Sequence, residues 1–171
     1  MGMIPVRVGG LALDERSNGP VVLLQEIEGE RVLPIWIGPM EANAIQMELA
    51  GKKYQRPLTH DLIVSILDSL KARVSRVVIS DLRETTFFAS IILDAGNGAV
   101  SIDARPSDSI AVALRARAPI FVVDRVFEES ARKDLVIPKG EKSPEEKAED
   151  LRRYLEGLNP EDFGKWNPED V

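Results

Sequence analysis

The chain has 171 residues, of which 44% are hydrophobic and 29% are charged, a composition typical of a globular domain that buries its own core. It contains no cysteine, which excludes disulfides, thiolate metal sites and a thiol nucleophile. The net charge of −6 argues against a large non-specific nucleic-acid surface, although it leaves room for a local basic patch.

Neither a membrane helix nor a signal peptide is indicated by the apolar residues. The longest apolar runs fall well short of the roughly 20 residues that a membrane-spanning helix needs. The first residues, MGMIP, lack the basic and apolar zones of a signal peptide. The sequence therefore predicts a cytoplasmic protein with no membrane partner.

Three strands and a helix are predicted in the first part of the chain. Residues 6–13 form the first strand, and residues 21–27 and 31–37 form a hairpin across a Glu-Gly-Glu turn. The helix starts at Gly38-Pro39, with proline in the first helical position. Gly51 closes this helix.

Strands and helices then follow in an irregular order. A helix over residues 59–72 has apolar positions that predict one buried face, namely Leu62, Ile63, Ile66, Leu67 and Leu70. Another begins at Ser107 and is apolar almost all round, so we expect it to be central and buried. Further elements are strands over residues 74–82, 87–93, 99–104 and 119–123 and a short helix over 126–133. The irregular order predicts an α+β fold with a mainly antiparallel or mixed sheet and three or four packed helices.

An acidic, helical C-terminal tail is predicted to follow the main domain. The division places the main domain at residues 1–138 and the tail at 139–171. Ser143-Pro144-Glu145-Glu146 combines a cap, a proline and an acid three residues after the cap, which starts a helix. The helix ends near Gly157, and its narrow apolar stripe predicts packing against the domain or against a partner subunit.

Two short segments have nearly the same sequence, and each is predicted to begin a helix. Arg56-Pro57-Leu58-Thr59-His60-Asp61 contains the only histidine, and Arg105-Pro106-Ser107-Asp108 repeats its pattern. In each, a proline restricts the arginine, a hydroxyl is placed to cap the helix, and an acid lies in the first turn. Because backbone N–H groups at such starts attract phosphate and other anions, we expect one polar cleft where the two starts meet.

Three motifs together resemble the bifunctional nuclease domain family, formerly catalogued as a domain of unknown function. They are LPIWIG at residues 33–38, RPLTHDL at 56–62 and ARPSDSIA at 104–111. The resemblance implies an α+β domain that forms a homo-oligomer, with a dimer favoured. It also implies a nuclease that hydrolyses DNA, RNA or both with low sequence specificity.

Phosphodiester hydrolysis defines what the residues of the two helix starts would have to do. It needs an activated water, charge stabilisation on the phosphate oxygens and a proton for the leaving oxygen. The candidate catalytic residues are His60 as general base or acid, with Asp61 or Asp108 as its carboxylate partner. The candidates for binding the substrate are Arg56, Thr59, Arg105 and Ser107.

Two alternatives stay open on the sequence alone. The first is a metal-dependent reaction, with Mg²⁺ or Mn²⁺ on oxygen ligands. Its candidate ligands are Asp61, Asp108, Asp81, Asp103 and Glu41. The second is a non-enzymatic regulatory module that binds an anion or a protein in the same cleft, because each residue of the two starts also has an adequate structural role.

Overall fold

Seven strands form one sheet in the computed structural model of the protein, which describes residues 2–133, 135 and 144–157. The strands are β1 (Met3–Asp14), β2 (Gly19–Glu26), β3 (Val32–Trp36), β4 (Arg73–Arg83), β5 (Thr86–Asp94), β6 (Ala99–Ala104) and β7 (Ile120–Val123). Their order across the sheet is β3-β2-β1-β7-β4-β5-β6. Only β4 and β7 are parallel neighbours, and the other pairs are antiparallel. The predicted α+β fold with a mixed sheet is confirmed.

Five helices occur within the same described residues. They are α1 (Pro39–Leu49), α2 (Thr59–Ser69), α3 (Pro106–Ala116), α4 (Asp124–Arg132) and α5 (Pro144–Glu156). A proline occupies the first position of α1 and of α3, where its missing N–H would have no helical partner. In this part of the chain, none of the helices has the length and apolar character needed to cross a membrane.

The third helix, α3, lies at the centre of the helical layer. It packs against α1, α2, β4 and β5, and its residues Ile110, Ala111 and Ala113 are fully buried. A helix that is apolar almost all round has no side suited to water, so neighbours must cover it on several sides. The prediction of a central, buried helix is confirmed.

The apolar face predicted for α2 is buried only in part, which corrects the expectation from sequence. Ile63 and Leu67 pack against the core. In contrast, Leu62, Ile66 and Leu70 keep 51%, 49% and 72% of their surface exposed. The cause is the position of α2, which packs chiefly against α3 and therefore has only one side covered.

The C-terminal helix α5 packs back onto the sheet. It contacts β1, and Leu151 is buried in the main core, with Leu155 packed against it. Of the two alternatives for the tail helix, the structure supports packing against the domain. The predicted domain boundary at residue 138 and the predicted cap at Ser143 lie outside the described residues and stay predictions.

Candidate active site

The starts of α2 and α3 differ from the prediction in how they are capped. The N-cap residues are Leu58 and Arg105. Thr59 is the first helical residue of α2 and is exposed, whereas Ser107 is the second helical residue of α3 and is buried, so neither is the predicted cap. In α2 the capping role falls to Asp61, whose Oδ2 accepts the backbone N–H of Leu58 at 2.9 Å. In α3 the proline takes the first position and shifts the serine into the helix.

A hydrogen bond between His60 and Asp108 joins the two helix starts. Nε2 of His60 lies 3.0 Å from Oδ1 of Asp108. The His60 side chain is 11% exposed and that of Asp108 is 30% exposed. The bond is therefore shielded from most of the solvent, and it is Asp108 rather than Asp61 that lies against the histidine.

Asp108 is the centre of a chain of polar and charged side chains from three helices. Its Oδ2 accepts a hydrogen bond from Nε of Arg105 at 2.7 Å, and Nη1 of Arg105 lies 3.0 Å from Oε1 of Glu41 on α1. Burial raises the pKa of Asp108, but the hydrogen bonds from Arg105 and His60 outweigh it and hold this pKa below its ordinary value of 3.8. Asp108 is therefore ionised at neutral pH.

The ionised Asp108 determines which nitrogen of His60 carries a proton. A carboxylate only accepts hydrogen bonds, so Nε2 must be the donor and neutral His60 keeps its lone pair on Nδ1. Nδ1 has no hydrogen bond to any described residue. Among the described residues, the side-chain nitrogen or oxygen that is fully buried and has no hydrogen-bond partner is Nε of Arg76. Nδ1 of His60 also has no partner but is not fully buried, so it retains some contact with solvent. The arrangement leaves one imidazole nitrogen available to accept a proton.

Asp61 does not join this chain of charges, because it pairs with Arg115 of α3. Its Oδ1 accepts a hydrogen bond from Nε of Arg115 at 2.7 Å. The guanidinium also donates to the backbone carbonyls of Ala111 and Ala44, each at 3.0 Å. Burial raises the pKa of Asp61, but the hydrogen bonds from Leu58 and Arg115 lower it by a larger amount. The net shift of this pKa is therefore downward. Both oxygens of Asp61 are thus occupied in holding α2 to its neighbours.

The two arginines that precede the helices line different cavities. Arg105 and Ser107 lie along a cavity of about 520 Å³, which Glu41 also lines. Arg56 lines a separate cavity of about 300 Å³ between the end of α1 and the start of α2. The two helix starts therefore meet through the His60–Asp108 hydrogen bond. Arg56 and Arg105 do not share a cavity, whereas the prediction of one polar cleft places them together.

The carboxylates considered as metal ligands are dispersed or paired with arginines. Asp81 forms salt bridges with two arginines, and Asp103 lies exposed on β6. Asp108 and Glu41 share the guanidinium of Arg105. Within residues 2–133, 135 and 144–157, no three histidine, aspartate or glutamate side chains are grouped so as to hold a metal ion.

Two partners in these contacts are not among the catalytic or binding residues predicted from sequence. From the sequence, Arg115 is assigned no role in the site, and Glu41 is named only as a candidate metal ligand. Helical spacing offers a signal for the first, because Arg115 lies two turns after Asp108 and therefore on the same side of α3. No local pattern links Glu41 to Arg105, since they come from helices that are distant in the chain.

We expect the stability of the fold to fall in acid, because Asp61 and Asp108 both have lowered pKa values. Each carboxylate stabilises the fold above its unfolded pKa near 3.8, and this contribution is lost as the pH falls through the folded pKa. The melting temperature, followed by circular dichroism, should decrease once the pH is lowered below about 4. The drop should be smaller for Asp108→Asn, and equal drops in both proteins would contradict this assignment.

The family model for the bifunctional nuclease domain matches residues 22–134, which include both helix starts. The chain belongs to this family. It is 42% identical over 166 residues to the Uncharacterized protein Rv1829 of Mycobacterium tuberculosis, covering 92% of this chain and 96% of that protein. It is 28% identical over 117 residues to Bifunctional nuclease 1 of Arabidopsis thaliana, covering 67% of this chain and 36% of that protein. Similarity to Bifunctional nuclease 2 of Oryza sativa is 27% over 117 residues, covering 66% of this chain and 36% of that protein.

Proposed function

We propose that the protein is a nuclease that hydrolyses phosphodiester bonds of DNA, RNA or both with low sequence specificity. The observation that carries the proposal is the hydrogen bond between His60 and an ionised Asp108, with Arg105 on the other oxygen of the same carboxylate. Family membership and the names of the plant relatives support the substrate class. We also infer a cytoplasmic location, which the absence of cysteine supports.

In the proposed reaction, His60 acts first as base and then as acid. Its Nδ1 accepts a proton from water as the water oxygen attacks phosphorus, and Asp108 stabilises the imidazolium that forms. Arg105, whose side chain is largely exposed, donates hydrogen bonds to the charged phosphate oxygens. The imidazolium returns its proton to the leaving oxygen as the phosphorus–oxygen bond breaks, which gives a phosphate monoester and a free hydroxyl.

The remaining residues of the two starts have supporting roles in this proposal. Asp61 fixes the first turn of α2 through its contacts with Leu58 and Arg115. Ser107 lies beside Arg105 along the cavity of about 520 Å³. Thr59 is exposed next to His60, where it can contact a bound strand without taking part in proton transfer.

The direct test is cleavage by the purified wild-type chain. Labelled single- and double-stranded DNA and RNA are incubated with the protein in the presence of Mg²⁺, Mn²⁺ or EDTA. We expect fragments from several unrelated sequences, with cleavage persisting in EDTA because the proposed proton transfers use only side chains. Cleavage that depends strictly on a divalent ion would replace this reaction by one that uses a metal.

A non-enzymatic module that binds an anion or a protein is the second candidate function. It is favoured by the double engagement of Arg105, which two carboxylates already hold, and by the low exposure of His60. This candidate predicts an anion-dependent rise in melting temperature without turnover, since a ligand that binds only the folded state stabilises it. The nuclease proposal would be contradicted by such a rise together with intact substrates.

We propose further that the protein is a homodimer in which two copies pair along β6. This strand ends the sheet, its residues are mostly exposed, and it contains no proline. The opposite edge strand, β3, carries Pro34, which hinders further strand pairing. Val100 and Ile102 of β6 lie opposite core residues of β5, so they face the helical side of the sheet. Antiparallel pairing with a second copy would cover this apolar edge about a two-fold axis.

We expect Ile102→Glu to convert the dimer to a monomer while leaving the fold intact. The substitution places a charge on the edge that a second copy would cover, where charge opposes strand pairing. Light scattering coupled to size-exclusion chromatography measures the mass. Ile27→Glu is the matched control, because Ile27 is similarly exposed but lies between β2 and β3. A monomeric wild type, or an unchanged mass for Ile102→Glu, would contradict pairing along β6.

A further inference from the structure

The smaller cavity is bordered by a loop that is rich in cations. The loop connects α1 to α2, and its residues Lys52, Lys53, Tyr54 and Arg56, here called the cationic loop, all line the cavity of about 300 Å³. Its two ends are fixed: the backbone N–H of Lys52 bonds to the carbonyl of Met47, and the N–H of Leu58 bonds to Asp61. The cations are therefore carried on a short segment that is anchored at both helices.

The charge along this cavity is balanced only in part within the protein. Glu48, Asp61 and Arg115 also line the cavity. Asp61 pairs with Arg115, which leaves Glu48 as the one other carboxylate of the cavity against the three cations of the loop. Among the residues that the structure describes, no carboxylate lies within salt-bridge distance of Lys52, Lys53 or Arg56. The cavity thus keeps an excess of positive charge in a chain whose net charge is −6. Mutual repulsion of clustered cations is relieved by an anionic ligand.

An exposed aromatic ring lies within the same loop. Tyr54 is 63% exposed and is flanked in sequence by the three cations. Cations that contact a phosphate backbone, combined with an aromatic ring on which a base can stack, are the two elements of single-strand recognition. An isolated phosphate or an acidic peptide would use the cations but would have no use for an exposed tyrosine between them.

We infer that the cationic loop binds the phosphate backbone of single-stranded DNA or RNA, with Tyr54 stacked on an unpaired base. The identity of the ligand rests on the proposed nuclease function. The loop is a site distinct from the larger cavity beside Arg105, and Asp61 on its border is the neighbour of His60 in α2. The first turn of α2 thus carries Asp61 on this cavity and His60 beside Asp108, and in this proposal the loop supplies affinity while the chemistry takes place at His60.

Binding is measured by fluorescence anisotropy with a labelled single strand of about 12 nucleotides, a length within the range of single-strand sites. Phosphorothioate linkages keep the negative charge and slow hydrolysis during the titration. Lys52→Gln, Lys53→Gln and Arg56→Gln should each weaken binding by about threefold to tenfold at moderate salt. The triple variant should make the logarithmic salt dependence shallower by about 2, at about 0.7 per lost phosphate contact.

Matched controls separate the loop from general electrostatics and from folding. Lys71→Gln and Arg73→Gln remove charges from exposed positions at the other end of α2 and on β4, and each should leave the affinity within about twofold of the wild type. Tyr54→Phe should retain binding, whereas Tyr54→Ala should weaken it by about fivefold or more through lost stacking.

The outcomes distinguish this inference from the proposed function. Weaker binding that is confined to the loop variants supports the inference. If the wild type binds the oligonucleotide in this way but never cleaves it, the inference stands and only the nuclease proposal is contradicted. Equal weakening by loop and control variants would overturn the inference. Failure of the wild type to bind the single strand would also overturn it.

Discussion

Replacing His60 by glutamine is expected to lower the rate of phosphodiester cleavage by about 100-fold or more, the usual contribution of a positioned general base. Glutamine can still donate a hydrogen bond to Asp108, but it cannot accept and return a proton. The chain contains no second histidine, so no other imidazole can take over. The measurement is the single-turnover rate on an end-labelled oligonucleotide with enzyme in excess, which removes effects of substrate affinity.

Two further variants show whether a loss belongs to the His60–Asp108 pair. Asp108→Asn keeps an oxygen near Nε2 of His60 but removes the charge that stabilises the imidazolium, so it should also lower the rate by a large factor. Asp68→Asn removes an exposed carboxylate from α2, the helix that carries His60, and should leave the rate unchanged. Because effects of residues that act together do not add, the double variant should be about as slow as the slower single variant. Full activity in His60→Gln would exclude the proposed chemistry.

Replacing Arg115 by methionine is expected to lower the free energy of unfolding by about 2–4 kcal/mol. The Arg115 side chain is only 6% exposed, and its guanidinium connects Asp61 of α2 with the carbonyl of Ala44 in α1 and that of Ala111 in α3. Methionine fills part of the volume but leaves one carboxylate and two carbonyls without these donors. Asp61 is partly accessible to water, which reduces the cost below that of a fully buried broken pair.

Chemical denaturation followed by circular dichroism measures this loss as a lower midpoint with an unchanged slope. Arg117→Met is the matched control, because Arg117 lies two residues further along and is exposed. Its effect should stay within about 0.5 kcal/mol, as for most surface substitutions. Equal stability of Arg115→Met and the wild type would show that the contacts of Arg115 contribute little to holding the helices together.

Most elements of the fold can be predicted from local patterns. The strands follow apolar, β-branched runs, and prolines 39 and 106 mark the starts of α1 and α3, because proline both fits the first helical position and is excluded from the interior. The exposed side of α2 cannot be predicted in this way. The helical period identifies which residues share an apolar side, but Leu62 and Ile66 remain exposed because no described element covers them.

The types of residue at the candidate site can be predicted from the sequence, but which side chains pair with each other cannot. The sequence indicates that His60 needs a carboxylate, and both Asp61 and Asp108 fit that requirement. The choice depends on side-chain direction, since successive residues of a helix point about 100° apart. His60 therefore meets Asp108 while its neighbour Asp61 meets Arg115. The separation of Arg56 from Arg105 likewise depends on how α1, α2 and α3 pack, which no local pattern specifies.

The most direct test of the central claim compares the wild type and His60→Gln, purified identically, across a size-exclusion column. Each fraction is assayed in EDTA for cleavage of the same labelled single strand. We predict that activity follows the wild-type protein peak in proportion to its concentration and is absent from the His60→Gln peak, while both proteins elute alike and bind the strand equally. Equal cleavage in the two peaks, or no cleavage in the wild-type peak with intact binding, would contradict a nuclease centred on His60 and Asp108.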